Sequence, residues 1–265
     1  MRRVAIAFLI AVFLVVLPAE VVAPYSFATQ FRDLPNAAPS HAHLLGTDAL
    51  GRDRLSRLLF GARVSLLLAP AAALLSVLLA LGLAFLAALG GSWWERAILA
   101  AADLSLSLPW FFLLLAARAL LPLNAAAATA AAVTFGLLGV LGWAEPARVM
   151  VAAIRQQLRS DFVLLAHASG CGRGRIALVH LAPHLAPVAA AQFLIATPAY
   201  LLAEANLGLL GLGIPEPMPS WGNLLRELES VSAVAANPWV LAPAAILILV
   251  VGCFHLAVSA DKRVI

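Results

Sequence analysis

Charge is scarce in this chain. Of its 265 residues, 11% are Asp, Glu, Lys or Arg, against about 25% in an ordinary soluble domain. A water-facing surface cannot be built from so little. Lysine is almost missing: Lys262 is the only one, and Asp261 precedes it. The chain therefore has no phosphate-cradling loop ending in Gly-Lys-Ser/Thr, and nucleotide chemistry coupled to it belongs on another polypeptide. Cysteine occurs twice, at Cys171 and Cys253, far apart, which excludes a disulfide framework or a zinc site. His180 and His184 stand one helical turn apart with Pro183 between them, and His41 and His43 form a second short pair. Neither pair has an adjacent third ligand, so no metal is expected. No plausible nucleophile with its base is visible, which argues against an intramembrane enzyme, and no catalytic residue is expected.

What the chain has is apolar length. It is 63% hydrophobic with a mean hydropathy of +0.99. A membrane span needs about 20 predominantly apolar residues, and six such windows appear, near residues 4–23, 64–89, 97–121, 124–143, 185–207 and 239–260. The expected fold is all-α, a polytopic membrane protein with six transmembrane helices. Arg2, Arg3 and the apolar run after them also resemble a cleavable leader. The run resumes at residues 21–23 without a small-residue cleavage pattern, and an uncleaved first helix is the expectation.

The net charge of +4 would suggest nucleic acid if the arginines formed one patch, but they flank the apolar runs, so no nucleic acid is expected. With six spans, Arg2, Arg3, Arg96, Arg148, Arg155, Arg159, Arg173, Arg175, Lys262 and Arg263 fall on the side of both termini, which the positive-inside rule makes cytoplasmic. Residues 1–63 form a first helix and an external segment, and residues 64–265 a domain of five helices. Connections near 24–63, 144–184 and 208–238 exceed a minimal turn, and long connections in a compact protein tend to be functional. The middle one reads as a helix broken at Gly170, Gly172 and Gly174, a helix-turn-helix on the cytoplasmic side with the character of a docking surface. Gly136, Gly139 and Gly142 recur every third residue in the fourth window, where small residues let helices approach closely in lipid. Asp103 and Glu204 lie in or beside apolar windows, where ionisable groups are costly. Asp103 is expected to bond a neighbouring helix rather than a solute, and Glu204 to order a loop or face the pathway. Trp110, Trp143 and Trp239 read as interfacial anchors.

Three blocks carry a resemblance. Residues 161–187, DFVLLAHASGCGRGRIALVHLAPHLAP, are similar to the "EAA" signature of binding-protein-dependent ABC importer permeases. Ala166, Ala168 and Gly170 match its small residues, Pro183 follows thirteen after the glycine, and Pro187 four later. Residues 43–66, HLLGTDALGRDRLSRLLFGARVSL, and residues 204–225, EANLGLLGLGIPEPMPSWGNLL, resemble the C-type (DppC/OppC-like) permeases of the dipeptide, oligopeptide and nickel group. Leu164 and Leu165 stand where an arginine and an alanine are usual, and Gly208 and Leu209 replace the usual Ser-Phe.

The resemblance implies a MetI-like ABC permease fold in the bacterial cytoplasmic membrane, working by alternating access. It implies a B-type permease partner, two ATP-binding subunits and an external substrate-binding protein, with ATP and Mg held by the ATPase subunits and no cofactor on this chain. It makes residues 144–184 the coupling loop and the helix around residues 163–179 the coupling helix. Asp161, Phe162, Val163, Ala166, Ala168, Gly170, Arg173, Arg175 and Pro183 would meet the ATPase, with Phe162, Val163, Leu165 and Ala166 as anchors. Glu204, Gly211, Gly213, Pro219, Ser220, Trp221 and Gly222 would form an external gate or binding-protein contact, with Trp221 in a compact turn. An autonomous secondary transporter or channel is the alternative. It would call for paired charges near the midplane or inverted repeats, and the sequence displays neither.

Overall fold

The computed structural model describes residues 2–120, 126–230, 234–235 and 237–259. The chain is helical, and among the described residues the only β pairing is two isolated bridges, Gln30 with Arg52 and Thr47 with Asp53. In chain order the helices are α1 (Arg2–Val16), α2 (Ala19–Val22), α3 (Arg54–Leu89), α4 (Ser92–Ser107), α5 (Trp110–Ala119), α6 (Ala127–Leu141), α7 (Ala144–Leu158) and α8 (Asp161–Ala168). There follow α9 (Arg173–Leu209), α10 (Trp221–Leu225) and α11 (Ala242–Ser259).

The central element is α3, and its sequence explains why. One stripe of it is small: Gly61, Ala62, Ser65, Ala69, Ala72, Ser76, Ala80, Ala84 and Ala87 are buried. The large side chains Leu67, Leu74 and Leu78 point outward and are 43%, 50% and 56% exposed. A soluble helix does the reverse. In lipid, where tails are as apolar as leucine, helices associate by close backbone approach, and small residues permit it. Accordingly α3 packs against α6, α7 and α9, while α1 packs along α11. Two apolar cores result. The core at the end that the arginine placement would put outside, called outer for that reason, contains Leu66, Phe135, Leu201 and Trp221, and the inner one contains Val77, Met150, Ile154, Val163 and Leu181.

The spans differ in form from the sequence windows. Among the described residues four helices are long and apolar enough to cross a membrane: Arg54–Leu89, Ala127–Leu158, Arg173–Leu209 and Pro238–Val258. A fifth is the pair α4 and α5 taken together, which is bent by 75°. The window 97–121 is thus not one straight rod. Pro109, the N-cap of α5, breaks it, because proline offers no N–H and its ring collides with the preceding turn. The first window divides into α1 and α2 at Leu17 and Pro18. The 15 residues of α1 span about 22 Å, short of the roughly 30 Å hydrocarbon thickness. The second span starts at Arg54 instead of residue 64, since the Asp53 carboxylate caps it by accepting from Ser56 N at 2.8 Å. The fourth does not stop at residue 143 but passes through Gly142 and Trp143 into α7.

Candidate functional site

At the inner end α7 closes at Leu158, and the chain reverses through α8 into α9. The reversal is a Schellman motif. Cys171 N donates to Ala166 O and Gly170 N to His167 O, both at 3.0 Å, with Gly170 at φ +78°. Only glycine takes that left-handed conformation without strain. The coupling segment over residues 163–179 is therefore two helices joined by a glycine turn, the break that the glycines led one to expect. Beyond the turn, Pro183 has no N–H for the Val179 carbonyl and crowds it, and the ladder widens into a π segment over Ile176–Leu181.

The exposure of this hairpin differs from the expected anchors. Val163 is fully buried and Ala166 nearly so, packed with Ile154, Ile176 and Leu181. Phe162 is half-buried and its ring stacks on His184, with centroids 4.9 Å apart and planes at 19°. Of the four, Leu165 alone faces outward, 67% exposed, beside Leu164 at 55%. Leu164 is an exposed apolar residue that sequence reasoning did not single out for this face. The signal was its leucine at a place where arginine is usual. Leu178 and Val179 are exposed as well. Asp161, Ala168, Arg175 and Pro183 are exposed, and Arg173 reaches back to donate to the Leu89 carbonyl at 3.4 Å.

The base of the hairpin is fixed by ion pairs between α4 and α7. Arg148 Nη1 lies 3.0 Å from Asp103 Oδ1, and Arg155 pairs with Glu95. Asp103 thus engages a neighbouring helix. Its partner pair is more than half exposed, so it orients the helices more than it stabilises them.

At the outer end the blocks over residues 43–66 and 204–225 converge. Glu204, on α9, is wholly buried and accepts from Ser65 Oγ on α3 and from Gly222 N on α10, each at 3.2 Å. Ser220 caps α10 reciprocally, its Oγ accepting from Asn223 N at 3.2 Å while Asn223 Oδ1 accepts from Ser220 N at 2.9 Å. Trp221 is wholly buried in the outer core, and its backbone N–H donates to Ser65 Oγ at 3.2 Å. Pro219 is buried beside it. The side chain of Trp221 therefore fills the space between helices and offers no surface. Gly208, Gly213 and Gly222 meet backbone to backbone, and a Cβ on Gly208 would overlap the Gly222 main chain. Gly211, at φ +74°, ends α9 in a second Schellman motif, with Leu212 N donating to Leu207 O at 2.9 Å and Gly211 N to Gly208 O at 3.0 Å.

Charges bind this loop to the start of α3. Arg57 Nη2 meets Glu216 Oε1 at 2.8 Å, Arg52 Nη1 meets Glu216 Oε2 at 2.7 Å, and Arg52 Nε meets Asp48 Oδ2 at 2.7 Å. Arg54 pairs with Glu227, and His43 Nδ1 lies 2.9 Å from Asp53 Oδ1. Burial alone would lower the Arg52 guanidinium, but its hydrogen bonds and charge contacts with Asp48 and Glu216 together hold it above its ordinary value. Arg118, near the end of α5, donates to Gly213 O at 2.8 Å. The sequence placed Arg52, Arg54 and Arg57 outside the apolar windows and Arg118 inside one, and did not show that they reach the distant loop.

The chain thus has a loop packed among helices at its outer end, a helical body suited to lipid, and an inner hairpin with outward leucines. Residues 76–261 match the family described as binding-protein-dependent transport system inner membrane component. The chain is 31% identical over 260 residues to the oligopeptide transport system permease protein OppC of Mycobacterium bovis, covering 96% of this chain and 87% of that one. It is 30% identical over 241 residues to OppC of Haemophilus influenzae, covering 88% and 75%. It is 32% identical over 229 residues to the di/tripeptide transport system permease protein DppC of Pseudomonas aeruginosa, covering 83% and 73%. The chain belongs to the family of inner membrane components of binding-protein-dependent transport systems, the permease subunits of ABC importers.

Proposed function

We propose that this permease imports peptides or related small solutes, as the C-type half of a transmembrane heterodimer with a B-type partner in a bacterial cytoplasmic membrane, both termini being cytoplasmic. Two ATPase subunits bind ATP and Mg, and an external binding protein delivers the solute. The names of the relatives, OppC and DppC, support the solute class. The observation that carries the mechanism is the inner hairpin, whose Val163 and Ala166 are anchored in the chain's own core while Leu164 and Leu165 face outward. A short helix set this way transmits force, because what pushes on its exposed side moves α7 and α9 with it. Closure of the ATPase pair on ATP draws the hairpins together and favours an outward-open arrangement, and hydrolysis reverses it. A loaded binding protein biases the cycle only as far as it prefers one state.

Reconstitution tests this reading. Vesicles holding both permeases and the ATPases, supplied with the binding protein, should accumulate peptide only when ATP is present on the ATPase side. Vesicles holding this chain by itself should accumulate none. Uptake by the lone chain would refute the proposal.

A further inference from the structure

A cavity of about 170 Å³ lies between the α4–α5 bend, the α6–α7 junction and α9, lined by Ser105, Trp110, Gly142, Glu145, Gln192 and Tyr200 among others. Glu145 stands near the middle of the Ala127–Leu158 helix, where an ionisable side chain in lipid is costly and marks function by default. On α4, which packs against α7, both acidic groups are paired, Asp103 with Arg148 and Glu95 with Arg155. Glu145 has no ion-pair partner among the described residues and is exposed.

The wall is built to bring acceptors together. Tyr200 reaches the junction only because residue 142 is glycine, since a Cβ there would overlap the tyrosine hydroxyl. Residue 146 is proline, so the Gly142 carbonyl receives no α-helical N–H. A carboxylate, that carbonyl, the Gln192 amide oxygen, and the Tyr200 and Ser105 hydroxyls form one acceptor-rich lining. An ammonium, with three donors, suits it. A transition metal does not, since the cavity has one carboxylate and neither histidine nor cysteine.

Resting on the peptide reading above, we infer that this cavity is a subsite on the translocation path that holds a primary ammonium, in a peptide its free amino terminus, with Glu145 as counter-charge and Trp110 as the apolar wall beside it.

The test uses the complete transporter in vesicles and the tripeptide alanyl-alanyl-photoleucine, with photolysis during ATP-driven uptake and mass spectrometric location of the adduct. In the unaltered complex, label should appear on the segments around Ser105 to Trp110 and Gln192 to Tyr200. Glu145→Gln should lower that label on the order of tenfold, the worth of one charged hydrogen bond, while leaving label on the external binding protein unchanged. Glu145→Asp should retain most of it. Equal labelling in the Glu145→Gln complex, or label confined to other helices, would overturn the subsite. Absence of ATP-driven peptide uptake by the unaltered complex would instead overturn the peptide reading.

Discussion

Glu204 and Gly222 are 18 positions apart in sequence, and the carboxylate of the first accepts the backbone N–H of the second inside the outer core at 3.2 Å. Ser65 donates to the same oxygen, so one side chain joins α3, α9 and α10. Removing it by Glu204→Ala leaves both donors buried without an acceptor, a cost of about 2–4 kcal/mol. The detergent-solubilised protein should melt several degrees lower, while Glu204→Gln, which keeps an acceptor, should lose less than half as much. Equal melting temperatures for the Ala variant and the parent would show that the contact carries no stability.

Gly208→Ser is a sharper test of the same packing. Serine is the usual residue at this place in the family it resembles, yet here a Cβ overlaps the Gly222 backbone. Overpacking of this kind costs about 1–3 kcal/mol. The substitution toward the family's residue should therefore destabilise this chain, read as a lower melting temperature and faster proteolysis of the 210–230 loop. An unchanged protein would mean that α10 shifts freely on α9.

Glu216→Ala tests the charged clasp on that loop. Glu216 is half exposed, so its loss should cost only about 1 kcal/mol, but the cost falls on one loop held by Arg52 and Arg57. Trypsin cleavage after the exposed Arg226 should quicken by about fivefold. The arginine side of the clasp should not titrate near neutrality. A guanidinium held above its ordinary value contributes stability that is complete below its unfolded value and lost only as pH climbs through the folded one. Cleavage rates should then change little between about pH 6 and 9, apart from the protease's own profile.

Gly170→Val forces a β-branched residue into a left-handed turn at φ +78°, at a cost of about 1–2 kcal/mol. Among the described residues nothing lies within 4 Å of a Cβ placed there. The damage should stay local: amide exchange over α8 should rise several-fold while α3 and α9 keep their protection. Global unfolding would contradict a hinge confined to the hairpin.

What the sequence conveyed depended on what each signal averages over. The blocks over residues 43–66, 161–187 and 204–225 located the outer loop and the hairpin, because their glycines, prolines and caps act within a few residues, as at Gly170, Gly211 and Ser220. Windowed hydropathy was less informative. It cannot tell that Pro109 turns a span by 75°, since a proline in an apolar run kinks or breaks according to its neighbours. It also ended the fourth span at residue 143, because Glu145 and Arg148 lowered the local average, and so placed Glu145 in a loop. The helix continues there, held by α3 and α9. Which face of α8 is buried was equally hidden. Phe162, Val163, Leu164, Leu165 and Ala166 are all apolar or small, so no amphipathic pattern separates the side held by Ile154 and Leu181 from the side left open.

Co-purification of the ATPase subunits tests the central claim most directly. Leu164→Asp with Leu165→Asp places charge on the outward side of α8 and leaves Val163 and Ala166 in their core. The doubly substituted chain should still insert and pair with its permease partner but should retain less than about a tenth of the ATPase, as expected when central apolar anchors of an interface are lost. Full retention of the ATPase by that variant would contradict the claim that this hairpin is where ATP-driven motion enters the chain.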